Sequence, residues 1–478
     1  MKALPSFLVS ELVEATKGEI LQGESQWHCD GISTDTRTLE AGNLFVALRG
    51  ENFDGHDYLD KAAGCGASGL LIRIDHKERL SSTPEELPAI GVSDTLEAYG
   101  QIAGYWRRKF NIPVIAITGS SGKTTTKEMV AAIVSRGKNT LKTEGNLNNQ
   151  IGLPLTLFGL TSLHQIAVVE MGTNCPGEIL KLANIAKPDI GLITNIGPAH
   201  LEGLGSLKAI AEEKGSLWKA MAGQGTAVIN NDDPLIVSLG EKWSLKRITF
   251  GMENQSDVMA RHIKAEGSEG VHFDLFLEDV IVPVFLRAVG NYNIKNALGA
   301  ASACYALGLS PEEIAAGLAN FRPIEGRTQI IQLANGIHLL TDTYNANPYS
   351  VAEVLKTLQE LRGSKKAIAV LGDMLELGKT AEKWHYEIGA IVAKNSIDLL
   401  FLKGTMTRHL AQGAIENGFS KEKIIFFENP GEVVSRLLPV LNHGDWILIK
   451  GSRKMKMEAI EEEIIKLLNP TELMNTKF

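Results

Sequence analysis

The sequence lacks long apolar runs and an excess of positive charge. Nowhere do about 18 consecutive apolar residues occur, as a membrane-spanning helix requires, and the N-terminal stretch has no apolar signal-peptide core. The net charge is −8, and no long basic run offsets it. We therefore expect a cytoplasmic protein without a membrane or nucleic-acid partner.

Cysteine is also scarce. The four cysteines are far apart, at Cys29, Cys65, Cys175 and Cys304. None forms a CxxC pair, so the sequence indicates neither a zinc site nor a disulfide framework. We expect the thiols to remain reduced.

What the sequence does contain is an alternation of strand-like and helical stretches. Hydrophobic residues make up 44% and charged residues 22% of the 478 residues, which is typical of a globular protein too long for one core. We predict an α/β protein of three domains. Residues 1–85 would form a small N-terminal α/β domain. Residues 86–315 would form a central P-loop-type, mostly parallel sheet with appended antiparallel strands, and residues 316–478 a C-terminal Rossmann-like domain.

A glycine-rich loop, TGSSGKTTTK, follows the buried strand predicted at residues 114–117. Gly119 and Gly122 allow a tight turn that brings backbone N–H groups close to an anion. Lys123 adds a positive charge, and Thr124 can place its hydroxyl on Mg²⁺. A helix predicted to start here would point its dipole at the same anion. This order of residues predicts a nucleoside-triphosphate site.

Three residues after this loop are candidates for metal binding or catalysis. Glu170 ends the strand predicted at 166–169, where P-loop proteins place a carboxylate that holds Mg²⁺. His200 follows the strand predicted at 190–194; neutral imidazole binds metals, although a lone histidine is usually structural. Lys214, taken alone, is expected to be a solvated lysine beside two glutamates.

Several polar loops are candidates for substrate contacts. Arg327 could stabilise charge on a transferred phosphoryl group, and Asp342 could accept hydrogen bonds from ribose hydroxyls. The segments at 35–37 and 345–348 are dense in turn-forming residues, so a simple turn and a ligand contact both remain open. The same holds for three amides that could hold a substrate oxygen or cap turns: Asn146, Asn148 and Asn149.

Eight stretches resemble, in type and order, motifs of the ATP-dependent Mur ligase family. They are TGSSGKTTTKE, VVEMG, TNIGPAHLE, EEKGSL, GNYNIKNALGA, EGRTQ, DTYNANPYS and LGDMLELG, and they span all three predicted domains. Within the family, TDTYNANPYS, LGDMLELG and ILIKGSRKMKMEA resemble the branch that adds D-alanyl-D-alanine. The resemblance implies an ATP-dependent amide-bond ligase that acts on UDP-N-acetylmuramoyl-tripeptide in peptidoglycan precursor synthesis. We expect it to be a monomer.

The resemblance also implies a mechanism. A carboxylate is a poor acyl donor, so the tripeptide carboxylate attacks the γ-phosphate of ATP and forms an acyl phosphate. The amine of D-alanyl-D-alanine then attacks the acyl carbon, and phosphate leaves through a tetrahedral intermediate. Mg²⁺, Lys123 and Arg327 would offset the repulsion between the two anions that react first.

By the same resemblance, ATP would contact Gly119, Ser120, Ser121, Gly122, Lys123, Thr124, Thr125, Asn296, Arg327 and Asp342. Thr124 and Glu170 would hold one Mg²⁺, and His200 would join a second Mg²⁺ site. Lys214 matches a lysine that is carbamylated in the family, which implies N6-carboxylysine as a metal ligand. The catalytic residues would be Lys123, Lys214, His200 and Arg327.

The substrates would contact Thr36, Arg37, Phe45, Asn146, Asn148, Asn149, Asn345, Ala346 and Asn347. The first three would hold the uridine diphosphate, and the last three would face the incoming dipeptide. The branch that adds a diamino acid carries an Asp-Asn-Pro-Arg run in its third domain. The comparable loop here has no such arginine, which favours a dipeptide.

Two positions depart from the expected patterns. Ile117 stands where the general P-loop has a glycine. Tyr292 stands where the family's GxHNxxNA motif has histidine, while Asn293 and Asn296 remain. We expect adenine binding through Asn296 to survive, with altered packing on one side.

Two alternatives remain open at this stage. A folylpolyglutamate synthase-like ligase would share the phosphate loop, the Mg²⁺ carboxylate and the carbamylated lysine. It would lack an N-terminal unit like residues 1–85. A P-loop nucleotide switch without ligase activity would require neither Lys214 nor the loop at 345–348.

Overall fold

The computed structural model describes residues 5–24, 26–333 and 336–468. Within these ranges the strands form three large sheets, one after another along the chain, and one two-stranded ribbon. None of the helices in the described ranges is long and apolar enough to cross a lipid bilayer.

The first unit contains the ribbon, β1 with β3, and a five-stranded sheet. Its elements are β1 (Ser6–Leu8), α1 (Val9–Thr16), β2 (Glu19–Gln22), β3 (His28–Asp30), β4 (Ile32–Ser33), β5 (Leu44–Val46), α2 (Leu59–Gly64), β6 (Gly69–Arg73) and β7 (Ala89–Val92). The sheet order is β2-β7-β6-β5-β4, and only β2 is antiparallel to its neighbour. β7 is thus hydrogen-bonded into the first sheet, although it lies beyond residue 85.

The second unit is built on a nine-stranded sheet. Its elements are α3 (Thr95–Arg108), β8 (Val114–Thr118), α4 (Lys123–Val134), β9 (Thr140–Lys142), α5 (Gly152–Phe158), β10 (Ile166–Glu170), α6 (Glu178–Ala186), β11 (Ile190–Ile193), α7 (Leu201–Leu204), α8 (Leu207–Ala220), β12 (Thr226–Asn230), α9 (Pro234–Gly240), β13 (Lys246–Gly251), β14 (Val258–Ala265), β15 (Val271–Leu277), β16 (Val280–Leu286), α10 (Asn291–Ala306) and α11 (Pro311–Asn320).

The strand order of this sheet is β16-β15-β14-β13-β12-β11-β8-β10-β9. Strands β8 to β14 pair in parallel, whereas β15 and β16 are appended antiparallel. Helix α11 packs against α4 and β16, and it runs across the predicted boundary at 315/316.

The third unit carries a six-stranded sheet in the order β17-β18-β22-β19-β20-β21. Its elements are β17 (Gln329–Gln332), β18 (His338–Asp342), α12 (Pro348–Arg362), β19 (Ala367–Gly372), α13 (Ala381–Lys394), β20 (Leu399–Lys403), α14 (Thr407–Glu416), β21 (Ile424–Phe426), α15 (Pro430–Leu437), β22 (Trp446–Lys450) and α16 (Glu458–Leu468). Only β17 is antiparallel. The predicted α/β class with a P-loop-type centre and a Rossmann-like end is confirmed.

The order of the central strands determines where a ligand can bind. β8 lies between β10 and β11, all three run in parallel, and their side chains are buried on both faces of the sheet. Their carboxyl ends therefore meet at one edge. That edge brings together the loop after β8, Glu170 at the end of β10 and the segment that follows β11.

Candidate active site

The loop between β8 and α4 requires glycine at two positions. Gly119 has a φ of 150°, and a Cβ atom there would lie 1.8 Å from the hydroxyl oxygen of Thr194. Gly122 has a φ of 78°, and a Cβ atom there would lie 2.3 Å from Oδ1 of Asn296. A side chain at either position would therefore displace a neighbour that packs against the loop.

The first half of the loop is bonded to the segment after β11. Ser120 and Ser121 donate their backbone N–H groups to the carbonyl and side-chain oxygens of Asn195, both at 3.0 Å. The N–H groups of the first turn of α4 have no acceptor within the helix and can bind a phosphate: Lys123, Thr124 and Thr125. These three donors lie in the second half of the predicted cradle, segment 119–125.

Asn195 was not among the predicted site residues. It belongs to the TNIGPAH stretch, from which sequence reasoning selected only His200. Its amide also donates to the carbonyl oxygen of Ser121 at 3.0 Å. Asn195, just after the neighbouring strand β11, therefore stabilises the conformation of the loop.

Two lysines bind the same backbone oxygen of the loop. Lys123 and Lys214 donate to one acceptor, the carbonyl oxygen of Gly119, at 2.9 and 3.0 Å. Lys214 is only 1% exposed, so the expectation of a solvated lysine was wrong. Burial, followed by the charge of Lys123, lowers the pKa of Lys214 well below its ordinary value. Lys214 is therefore an amine that loses its proton easily.

Glu170 and Thr124 fit a site for a hard cation. Asn148 donates to Oε1 of Glu170 at 2.8 Å. Oε2 of Glu170 is buried and has no hydrogen-bond partner among the residues that the structure describes. Thr124 and Glu170 line the same cavity, and Mg²⁺ takes oxygen ligands of this kind. An unpaired buried carboxylate oxygen is costly, and a cation would satisfy it.

His200 is held by the third unit. It has a φ of 54°, and its Nδ1 lies 2.6 Å from Oε2 of Glu376. This contact lowers the pKa of Glu376, whose backbone oxygen also accepts the N–H of Glu202 at 3.0 Å. With Nδ1 close to a carboxylate, Nε2 is the nitrogen left for a metal. Sequence reasoning missed Glu376, although it lies in the quoted LGDMLELG stretch.

A cavity of about 380 Å³ lies between the second and third units. Most predicted site residues line it: Ser120, Ser121, Gly122, Lys123, Thr124, Thr125, Asn146, Asn148, Asn149, Glu170, His200, Asn296, Arg327, Asp342, Asn345 and Asn347. Gly119 and Lys214 lie behind the loop and do not line this cavity. Asn149 also caps α5, since its Oδ1 accepts the N–H of Gly152 at 2.8 Å.

The third unit contributes three cations to this cavity, Arg327, Lys450 and Arg453. The guanidinium of Arg327 lies over the ring of Tyr344, 4.0 Å from its centroid. Lys450 donates to Asp342 and to the backbone oxygen of Asn345. Tyr344 was not among the predicted site residues, because nothing in the local sequence shows what it contacts.

Two predicted substrate contacts have buried side chains in this structure. Ala346 is 4% exposed and packs in the core of the third unit, so its methyl group does not face the cavity. Phe45 is 1% exposed, because β5 is covered on both faces. The surrounding sheet, which the sequence does not show, buries both.

A second cavity, of about 1480 Å³, separates the first unit from the second. Ser33, Thr34 and Asp35 line it from the first unit. Thr36 and Arg37 follow directly in the chain, and Arg37 forms an ion pair with Asp35 at 2.5 Å. Thr36 and Arg37 are thus next to a large cleft, whereas Phe45 does not line it.

Comparison with known protein families accounts for this arrangement. Residues 28–107 match the Mur ligase family catalytic domain, residues 117–304 the Mur ligase middle domain, and residues 326–453 the Mur ligase glutamate ligase domain. The chain belongs to the Mur ligase family. Three successive matches agree in order with the three sheets of this Mur ligase.

Relatives of this Mur ligase cover nearly all of its length. It is 38% identical over 465 residues to the UDP-N-acetylmuramoyl-tripeptide–D-alanyl-D-alanine ligase of Escherichia coli (strain K12), covering 95% of this chain and 97% of the relative. A crystal structure of MurF from Acinetobacter baumannii superposes with a TM-score of 0.88 at 31% identity, covering 97% and 100% of the two chains. MurF from Thermotoga maritima in complex with ADP gives 0.82 at 27% identity, covering 92% and 98%.

The likeness to folylpolyglutamate synthase is weaker. The Mycobacterium tuberculosis enzyme gives a TM-score of 0.62 at 18% identity and covers 77% of this Mur ligase and 94% of that chain. That identity shows a shared fold alone. The synthase alternative is therefore not favoured, and this Mur ligase is an ATP-dependent ligase.

Proposed function

We propose that this Mur ligase joins D-alanyl-D-alanine to UDP-N-acetylmuramoyl-tripeptide, with conversion of ATP to ADP and phosphate, as a monomer in the cytoplasmic synthesis of peptidoglycan precursors. One observation carries the proposal. The N-terminus of α4, Lys123 and Glu170 face Arg327 and Asp342 of the third unit across a single cavity. Two units thus supply opposite walls of a site for a phosphorylated ligand.

The positive groups suit the first chemical step. An oxygen of the tripeptide carboxylate attacks the γ-phosphorus, and the bond from phosphorus to the ADP oxygen breaks. Both reactants are anions, so positive charge held in place before reaction lowers the barrier. Lys123 and Arg327 supply that charge from two sides, and the first turn of α4 adds N–H donors.

The second step is acyl transfer. The amine nitrogen of D-alanyl-D-alanine attacks the acyl carbon, the carbon–oxygen bond to phosphate breaks, and the amine releases a proton. Asn345 and Asn347 line the cavity beside the phosphate loop, and Asn347 donates to the carbonyl oxygen of Ser120 at 3.3 Å. This loop is where we place the dipeptide.

Thr124, Glu170 and His200 are the residues that would hold Mg²⁺. Bound Mg²⁺ supplies charge neutralisation at the phosphate oxygens. Glu376 would keep His200 in the orientation that leaves Nε2 available. Asn148 would in turn orient Glu170 through its hydrogen bond to Oε1.

Lys214 would carry a carboxyl group. Its lowered pKa favours the neutral amine, which is the form that attacks CO₂. A nitrogen–carbon bond forms, one N–H proton is lost, and the ammonium site becomes an anionic N6-carboxylysine. The remaining N–H can still donate to Gly119, and the new oxygens can serve as metal ligands.

Each of the three predicted domains would bind a different part of the substrates. The unit at 1–85, extended to β7, would hold the uridine diphosphate beside the large cleft, through Thr36 and Arg37. The unit at 86–315 would bind ATP, with Asn296 next to the adenine. The unit at 316–478 would bring Arg327, Asp342 and the dipeptide loop.

Product formation tests the proposal. Purified protein with MgATP should release phosphate at a high rate only when both the muramoyl tripeptide and D-alanyl-D-alanine are present. Mass spectrometry should then detect the pentapeptide product. Omission of either substrate is the control. Slow ATP hydrolysis at a rate independent of both substrates would support a nucleotide switch and would contradict ligase activity.

A further inference from the structure

Tyr292 makes an unexpected contact across the junction of the second and third units. It lies in the first turn of α10, where the family motif has histidine. Its hydroxyl donates to Oγ1 of Thr328 at 2.6 Å. Thr328 is buried, directly follows Arg327 and precedes β17.

The backbone at Thr328 is in a conformation that its side chain disfavours. Its φ is 50°, in the left-handed region where β-branched residues are outliers. Such residues persist only where their surroundings hold them. The bond from Tyr292 is a side-chain contact that ties this threonine to the second unit.

Tyr292 is itself fixed in place. Its ring packs directly on the backbone of Gly290, since a Cβ atom on Gly290 would lie 2.6 Å from Cε1 of the ring. Gly290 has a φ of 86° at the start of α10. The hydroxyl of Tyr292 therefore has a defined position relative to the phosphate loop, which α10 contacts through Asn296.

The segment that Thr328 fixes carries Arg327. The backbone N–H of Arg327 donates to Ile324 at 3.0 Å, and Tyr344 donates to Gly326 at 3.2 Å. The charge of Arg327 contributes to lowering the pKa of Lys123, after burial. The guanidinium is thus within electrostatic reach of the phosphate lysine.

We propose that Tyr292 is a positioning residue that acts through Thr328 to hold Arg327 against the phosphates. The proposal rests on the ATP-binding role of Arg327 given under the proposed function. Without the tyrosine hydroxyl, Thr328 can relax to a negative φ, and the adjoining Arg327 moves with it.

Three substitutions form the test. Tyr292→Phe should lower kcat by about tenfold or more, because small misplacement of a charge-stabilising group is costly, while KM for ATP changes little. Glycine adopts a positive φ without strain, so Tyr292→Phe should have no further effect on kcat in a Thr328→Gly background. Thr328→Ser keeps the hydroxyl and should keep the full sensitivity to Tyr292→Phe.

Tyr386→Phe is the matched control. It removes a hydroxyl that donates to Glu416 on the surface of the third unit, and neither residue lines the cavity. Its kcat should match that of the unsubstituted protein. Thermal unfolding of every variant, followed by circular dichroism, separates loss of folding from loss of turnover.

The outcomes are distinguishable. If Tyr292→Phe lowered kcat equally in the unsubstituted protein and in the Thr328→Gly background, Tyr292 would contact the nucleotide directly. That result would overturn the positioning role. Unchanged kcat in Tyr292→Phe, together with a large loss in Arg327→Ala, would overturn this inference alone. Unchanged kcat in Arg327→Ala would instead refute the role of Arg327 in the proposed function.

Discussion

Lys450 and Asp342 lie side by side at the carboxyl ends of β22 and β18, with their charged groups 2.5 Å apart. Their side chains are 2% and 15% exposed. Lys450 also donates to the backbone of Asn345 at 2.9 Å. This pair therefore links Asp342, the carboxylate proposed to bind the ribose of ATP, to the loop proposed to bind the dipeptide.

Removal of one partner should destabilise the third unit. Lys450→Met leaves a largely buried carboxylate unpaired, and we expect it to lower the free energy of unfolding by about 3 kcal/mol. Urea unfolding measures the loss. The double variant Lys450→Met/Asp342→Asn should recover most of the stability, since no unpaired charge remains. A single-variant loss below about 0.5 kcal/mol would contradict the buried pair.

The pKa of Lys214 should make stability depend on pH. Its folded pKa is depressed well below 10.5, so between that folded value and 10.5 the unfolded chain binds more protons. Stability should therefore rise with pH in this window. Compared with Lys214→Met, the unsubstituted protein should gain stability as the pH rises toward 10.5, measured by urea unfolding in CO₂-free buffer. If the free energies of unfolding of the two proteins changed equally with pH, Lys214 would have its ordinary pKa in the folded protein.

The carboxyl group proposed on Lys214 predicts chemical rescue. Lys214→Ala should abolish product formation, and added short carboxylates should restore part of it by supplying the missing anionic ligand. Lys208→Ala, on the same helix and exposed, is the control and should be active. Full activity in Lys214→Ala would remove the carboxylysine from the mechanism.

Lys123 should be essential for turnover. Lys123→Ala removes a charge aimed at the phosphates and should lower kcat by about 10³-fold. The rate of phosphate release with both substrates present gives the measurement. Lys181→Ala, at an exposed position of α6, should leave the rate unchanged. A loss of less than about tenfold would argue against the phosphate assignment.

Local patterns predicted the parts of the site that a short segment builds alone. The strand, glycine turn and helix of the phosphate loop need only neighbours in sequence, so Gly119, Gly122 and Lys123 could be placed in advance. Glu170 could also be predicted from the sequence, because a carboxylate at the end of a buried strand has few structural roles. In each case one segment carries both the geometry and the chemistry.

The features that the sequence did not predict have a common physical cause. The burial of Phe45, Ala346 and Lys214 was not predicted, because burial depends on what covers a side chain, and the covering residues are distant in sequence. Asn195 and Glu376 were missed for a related reason. Each acts on a partner from another segment, Asn195 on the phosphate loop and Glu376 on His200.

The sequence by itself determined the α/β alternation, the phosphate loop and the family, since periodicity and motif order are local properties of a chain. Only the tertiary structure decided that two lysines meet at one carbonyl oxygen, that Glu376 faces His200 and that Tyr292 bonds to Thr328. Those relationships depend on distances between segments far apart in the chain, and packing alone sets such distances.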